Sequence, residues 1–226
     1  MYARDIFSTI CEQNYLCQMP VLVTEKFDTY SICLWDIQED EPFFRQQLNF
    51  TPSASHAAIA LQQWGARMAL KTLEPDFPFQ HVQKNEYQRP FLADNSFQFS
   101  FSHCSGFGAA AISKTHAIGT DVEKISERVL KVLPRFLNER ENKYIQGLSQ
   151  EDQIRMSTLF WTIKESAFKA LGRPGVDFKT DIQIHAELPN EQLECFVEFR
   201  DKPSVLYPVY QNCIRGVWLT ALSMEQ

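Results

Sequence analysis

The sequence predicts an α+β fold. Three observations carry that expectation. Runs rich in β-branched and aromatic residues recur at 20–37, 97–103, 107–113 and 117–123. A helical spacing of apolar residues separates the first of these from the rest. A long helical stretch follows residue 124, and strand-like segments close the chain. Each half thus reads strand, helix, then strands, which suggests two similar α+β halves packed together. No sequence repeat supports that pairing.

The elements follow in order. PVLVTEKFDTYSICLWDI at 20–37 reads as strands. Pro52 with Ser53 or Ser55 opens a helix to about Leu73, because Ala57, Leu61, Trp64 and Met68 fall at helical spacing. Pro75 and Pro78 end it. Residues 87–91 (YQRPF) make a turn or a short extended piece. FQFSFSH at 97–103 alternates apolar and polar residues, and strands over 107–113 and 117–123 follow. Ser126 starts a helix through Val129, Val132 and Leu133, interrupted near Pro134. Asn138 and Glu141 form a capping-box pair, and Ser149 with Asp152 opens a long helix that Gly172 ends. DFKTDIQIH, CFVEFRD and GVWLTALS are the last strands.

Composition narrows the class of protein. The 226 residues are 44% hydrophobic and 22% charged, as in a globular protein with a proper core. No run of about 18 apolar residues exists, so no membrane span is expected. The N-terminus lacks a basic start and an apolar core, so it does not read as a signal peptide and the expected compartment is the cytoplasm. Six cysteines without a CxxC pair are expected to be reduced thiols. A zinc site at His103 and Cys104 is set aside for want of further ligands. A net charge of −6 argues against nucleic acid as the main partner.

Two segments carry chemistry. In Gly119-Thr120-Asp121-Val122-Glu123-Lys124, two carboxylates stand two residues apart in a strand and so leave the same face. In Phe160-Trp161-Thr162-Ile163-Lys164-Glu165-Ser166-Ala167-Phe168-Lys169, Glu165 and Lys169 are i and i+4 on a helix. Converging, three carboxylates and an ammonium could hold Mg²⁺ beside a phosphate. The plainer alternative for the first segment is a solvated strand face. For the second it is an exposed ion pair contributing about 0.3–0.5 kcal/mol. Large apolar flanks weaken that alternative, since Trp161 and Phe168 share the helix face.

Other features are less specific. Ser102 and His103 end a strand and could contact an anion, or His103 could be an ordinary loop histidine. Arg89-Pro90 is a candidate phosphate contact or a surface turn. Gly106-Phe107-Gly108-Ala109-Ala110-Ala111 matches GxGxxA formally, but too few residues precede the next strand for the helix that a dinucleotide fingerprint needs. Arg128, Lys131 and Arg135 make one basic stripe, either a solvated face or a docking surface in an otherwise acidic protein.

Arg89-Pro90, Ser102-His103, GTDVEK, Arg135-Phe136-Leu137 with Glu141, and WTIKESAFKALG occur in an order that resembles one family. The chain is similar to 4′-phosphopantetheinyl transferases of the larger, surfactin-synthetase-activating type, over about residues 85–175. The resemblance implies two pseudo-twofold α+β halves, at 1–115 (nucleotide end) and 116–226 (Mg²⁺ and catalytic motifs), with the active site between them. It implies transfer of phosphopantetheine from coenzyme A to a serine of an apo acyl or peptidyl carrier protein, releasing adenosine 3′,5′-bisphosphate. Asp121, Glu123 and Glu165 would bind Mg²⁺, with Asp121, Glu165 and Lys169 the catalytic set. Lys169 would neutralise the pyrophosphate. Glu165 is the candidate proton acceptor, with water on the metal as the alternative. Ser102 and His103 would meet the phosphates, and Arg89 the nucleotide end. The carrier would dock through Arg128, Lys131 and Arg135, and a monomer would suffice. The family often has basic residues early in the N-half helix. Residues 53–66 have no Lys or Arg, and Arg67 and Lys71 lie further along. A non-catalytic carrier-binding homologue and another Mg²⁺-dependent nucleotide enzyme are the competing readings.

Overall fold

The structure, a computed structural model, describes residues 20–54, 56–187 and 193–225. The expectations for the N-terminus, Cys11, Cys17 and Ser55 lie outside them. Strands β1 (Val21–Lys26) and β2 (Ser31–Asp36) pair as a hairpin. Helix α1 (Glu41–Gln47) is absent from the sequence reading, although its start is locally encoded. The Asp40 carboxylate accepts from Phe43 N–H, and Pro42 occupies the first turn. Helix α2 (Ala57–Leu73) begins later than Pro52 and without a side-chain cap. Ser53 is instead folded back, its N–H donating to Gln63 Oε1 at 3.0 Å.

Strands β3 (Val82–Lys84) and β4 (Pro90–Leu92) make a small hairpin. The runs β5 (Gln98–Cys104), β6 (Phe107–Ser113) and β7 (His116–Lys124) follow as expected, with strand β6 directly after Gly106, which leaves no room for a nucleotide-binding helix. The Ser126 region differs from expectation. It is a 3₁₀ turn at Glu127–Lys131 followed by a one-turn helix α3 (Leu133–Phe136), and Pro134 opens α3 rather than interrupting a helix. Helix α4 (Glu139–Gln146) carries the full Asn138–Glu141 capping box. Helix α5 (Gln150–Leu171) starts at the Ser149 cap and stops at Gly172, whose φ of 63° is the left-handed stop that glycine permits.

Strands β8 (Ile182–Glu187), β9 (Glu194–Phe199), β10 (Lys202–Ile214) and β11 (Val217–Glu225) complete the chain. Strand β10 is missing from the sequence reading, since Pro203, Pro208 and its polar residues mask the alternation. Asp177–Thr180, expected as the start of a strand, is instead a turn in which the Asp177 carboxylate accepts from the Lys179 and Thr180 amides.

The larger sheets run β1-β2-β6-β5 and β7-β11-β10-β9-β8. They share a connectivity. The strand before the main helix pairs with the last strand, which pairs with the penultimate one: β2-β6-β5 around α2, and β7-β11-β10 around α5. Each helix covers the outer face of its own sheet. Trp64, Met68 and Leu70 of α2 pack on Trp35, Ala110 and Ile112. Leu159, Ile163 and Ala167 of α5 pack on Trp218, Leu222 and Met224. The inner faces meet through Ile32, Leu34, Ala109 and Ala111 against Ile118, Val122, Leu219 and Ala221.

Two features fix α5. At Gly119 a Cβ would lie 1.9 Å from Ser166 O and 2.6 Å from Ala170 N, so only glycine lets β7 and α5 approach this closely. Lys164 is fully buried in the middle of α5. Its three N–H groups are shared among Glu141 Oε2 at 2.7 Å and the carbonyls of Phe136, Phe178 and Ile182 at 2.7–2.9 Å. Glu141 is thus more than a capping residue: it also accepts from Ile184 N–H. Burial pushes the Lys164 ammonium toward its neutral form, and Glu141 opposes this.

Two stability losses are expected. Gly119→Ala should cost about 3 kcal/mol or more by urea unfolding, because both nearest atoms are backbone and cannot swing away. Lys164→Met should cost about 3–5 kcal/mol by leaving the Glu141 charge buried and unpaired. A loss under about 1 kcal/mol in either variant would contradict the corresponding packing account.

Candidate active site

The candidate residues collect where the first sheet's edge strand, β5, runs beside the second sheet's edge strand, β7, under α5. Alternation along β7 sends Ile118 and Val122 into the core between the sheets. Asp121 and Glu123 therefore share the opposite face, toward α5. The i, i+4 spacing of Glu165 and Lys169 puts both beside them.

Asp121 is the hub. Its side chain is almost fully buried, and its Oδ1 accepts from Ser102 Oγ at 2.6 Å and Lys169 Nζ at 2.7 Å. Lys169 also donates to Thr120 O at 3.0 Å. Ser100 Oγ accepts from Thr120 N–H at 3.1 Å, so two serines of β5 tie the first sheet to β7. Sequence reasoning named Ser102 for phosphate contact and overlooked Ser100. The i, i+2 recurrence of serine on one face of β5 is the signal that could have found it.

The carboxylates repel one another. Burial, then Asp121, raises both Glu123 and Glu165 to about 7. Glu165 adds to the rise at Glu123, while Lys169 and a hydrogen bond from the Trp161 side chain oppose it. Among the described residues no three ligand side chains are gathered into a ready-made metal shell. The donor chemistry nonetheless fits a hard cation: Asp121 Oδ2 is buried without a hydrogen-bond partner, and two further carboxylates sit within electrostatic reach. A divalent cation would relieve the orphaned oxygen and the repulsion together.

His103, the penultimate residue of β5, lies next to this cluster. Its Nδ1 is 3.0 Å from Gln62 Oε1 of α2. Burial, then the charges of Lys169 and Arg67, hold its pKa below the usual histidine value. Arg67 therefore lies close enough to act on His103, which its place along the helix did not suggest. Lys71 is spent elsewhere, donating to Gln47 O at 2.7 Å.

Arg89 takes the position a side chain at Gly172 would occupy, with its Nη1 1.2 Å from the ideal Cβ, so the αL stop of α5 seats the guanidinium. Burial lowers its pKa. A cleft of about 620 Å³ runs from Arg89, Pro90 and Phe101 to Phe168, Lys169 and Phe178. A second, of about 540 Å³, joins Glu123, Lys124, Arg128, Val129 and Trp161. Arg128, Lys131 and Arg135 are all exposed. Arg128 and Lys131 share a face of the 3₁₀ turn, where i and i+3 eclipse, while Arg135 belongs to α3, so they are not one helical stripe.

The arrangement can hold a cation with an adjacent ammonium, between two clefts, one mainly apolar and one bordered by basic side chains. Comparison with known proteins follows the same residues. Residues 117–208 match the family model of the 4′-phosphopantetheinyl transferase superfamily. The 4′-phosphopantetheinyl transferase gsp of Aneurinibacillus migulanus is 40% identical over 91 residues, covering 40% of this chain and 38% of that protein. The 4′-phosphopantetheinyl transferase Sfp of Bacillus subtilis strain 168 is 26% identical over 122 residues, covering 50% and 54%. The 4′-phosphopantetheinyl transferase HetI of a Nostoc species is 27% identical over 95 residues, covering 41% and 40%. The chain therefore spans about half or less of the length of each of these relatives. Residues 117–208, which carry Asp121, Glu123, Glu165 and Lys169, are thus similar to the 4′-phosphopantetheinyl transferase superfamily.

Proposed function

We propose that this chain transfers 4′-phosphopantetheine from coenzyme A to a serine of an apo acyl or peptidyl carrier protein in a Mg²⁺-dependent reaction. The observation that carries the reading is the meeting of Asp121, Glu123, Glu165 and Lys169 at the junction of the two sheets. The serine hydroxyl would attack the pantetheine-bearing phosphorus of the coenzyme A pyrophosphate. The bond to the nucleotide phosphate breaks, and adenosine 3′,5′-bisphosphate leaves.

Each residue has a part. Asp121, Glu123 and Glu165 would hold Mg²⁺, which when bound supplies positive charge beside the pyrophosphate. Lys169 Nζ, which donates to Asp121 Oδ1, would pair with the leaving phosphate oxygen. Glu165, whose pKa burial and Asp121 raise to about 7, would as the carboxylate take the serine proton. Ser102 orients Asp121, and His103 and Arg89 would receive the nucleotide's phosphates and its base end. On this reading residues 1–115 present the nucleotide end and 116–226 the reacting end, and one copy suffices. We place the protein in the cytoplasm, since six cysteines without a CxxC pair read as reduced thiols.

The direct test is incubation with coenzyme A, Mg²⁺ and an apo carrier protein, followed by mass spectrometry of the carrier. Asp121→Ala and Glu165→Ala should each lower kcat/KM by about a hundredfold or more while the proteins stay folded. Calorimetric titration with Mn²⁺ should show the same losses without turnover. Near-normal turnover and metal binding in both variants would remove the metal assignment.

The carrier would approach the basic rim at Arg128 and Lys131, which borders the Glu123 cleft. With a net charge of −6, this chain can attract an acidic carrier only through such a patch. Reversing Arg128, Lys131 and Arg135 to Glu should raise the carrier KM several-fold, by about tenfold at low salt, and flatten its salt dependence. Coenzyme A affinity should hold. An unchanged carrier KM would return these side chains to a solvated surface.

A further inference from the structure

The buried hydroxyls of α5 are not used alike. Thr158 and Thr162 bond back to carbonyls of their own helix, Ile154 O and Leu159 O, each at 2.8 Å, as helical threonines ordinarily do. Ser157 Oγ is buried with no hydrogen-bond partner. Ser166 instead reaches out of the helix, its hydroxyl shared between Thr220 Oγ1 at 2.8 Å and Thr220 O at 3.2 Å on β11. Thr220 Oγ1 donates in turn to Thr162 O at 3.0 Å, one turn back along α5. A hydroxyl has one proton, so Ser166 is the donor between the two. Ser166, Thr220 and Thr162 are all fully buried.

This grip falls beside the candidate site. Thr220 is the cross-strand partner of Asp121, so their side chains stand next to each other on the sheet face under α5. Thr162 and Ser166 belong to successive turns of the helix, and Glu165 lies between them in sequence. The same stretch of sheet holds Lys169. Thr120 Oγ1 donates to Thr220 O at 2.8 Å, and Thr120 O accepts from Lys169 Nζ at 3.0 Å. Gly119 sets how near α5 comes to β7, but a close contact by itself lets a helix slide or turn. Directional bonds in a dry interior do not, because breaking them leaves a buried hydroxyl unpaired.

We infer that Thr220 and Ser166 are positioning residues for the transfer reaction: they set the rotation of α5 that brings Glu165 and Lys169 to Asp121. The inference rests on the proposed transferase reading. Neither hydroxyl touches substrate, and each acts through the helix. Their loss should therefore fall on the reacting end and spare the nucleotide end, which is proposed at Arg89 and His103, outside α5 and β11.

The test compares the wild type with four variants. Thr220→Val keeps the shape and removes the hydroxyl, Ser166→Ala removes its partner, and Thr220→Ser retains the hydroxyl. Ser157→Ala is the control, since it deletes an equally buried hydroxyl of the same helix that has no hydrogen-bond partner. Circular dichroism checks folding, kinetics with coenzyme A and an apo carrier give kcat and KM, and calorimetry with Mn²⁺ alone gives metal affinity. Thr220→Val and Ser166→Ala should each lower kcat by about tenfold, with KM for coenzyme A within about twofold, and weaken Mn²⁺ binding by about fivefold. Thr220→Ser should recover most of both losses, and Ser157→Ala should match the wild type. Wild-type kcat and Mn²⁺ affinity in Thr220→Val and Ser166→Ala would overturn the inference. A loss in Ser157→Ala equal to theirs, or no recovery in Thr220→Ser, would make the hydroxyls packing groups and overturn it too. If Thr220→Val does not fold, Ser166→Ala against Ser157→Ala decides, since each deletes one hydroxyl from the same helix. A wild type that transfers pantetheine beside unimpaired variants would sink this inference and spare the proposed function. A wild type that transfers no pantetheine would overturn both.

Discussion

The close approach of β7 to α5 at Gly119 is the constraint on which the rest depends. A Cβ there would collide with Ser166 O and Ala170 N, one turn of helix apart. Because glycine removes it, the strand lies directly against the helix and the two neighbouring positions on that strand face, Asp121 and Glu123, come under Glu165 and Lys169. The buried Lys164 holds the other side of the same helix by binding Glu141 and three carbonyls from separate segments. Strand proximity on one side and a saturated ammonium on the other leave α5 little freedom to rotate. Its two charged residues of chemical interest are therefore aimed by the backbone rather than by their own flexibility.

The site is assembled against its own electrostatics. Burial and mutual repulsion raise Glu123 and Glu165 to about 7, and one oxygen of Asp121 has no partner. Lys169 offsets part of that repulsion from its seat on Asp121 Oδ1. Such an arrangement stores affinity for a cation that brings more charge than an ammonium can. Burial, then the charges of Lys169 and Arg67, hold His103 below its usual value, and Asp121 opposes them.

Much of the fold was legible because its signals are local. The Asn138–Glu141 and Ser149 caps, the Gly172 stop and the alternating strands β5 to β7 each depend on a few neighbouring residues. The errors arose where distant contacts override such signals. Ser53 could have capped a helix, but Gln63 takes its amide, so α2 starts later. Pro208 weakens the pattern of β10, yet that strand is held between β9 and β11 by its neighbours. Glu141 read as a capping residue because its partner Lys164 lies 23 positions away.

For the candidate site, the sequence by itself determined which groups share a face. Period-two alternation joins Asp121 with Glu123, and helical periodicity joins Glu165 with Lys169. These spacings hold whatever surrounds them. Only the tertiary structure decided that the two pairs meet, that Ser102 and Ser100 of the other sheet bind the same strand, and that Arg67 stands beside His103. Those facts depend on how two sheets pack and which strand lies at each edge, and no short-range pattern encodes them. The burial that raises the glutamates is likewise a property of the packed whole. A carboxylate or guanidinium acquires its unusual chemistry only when the fold removes its water.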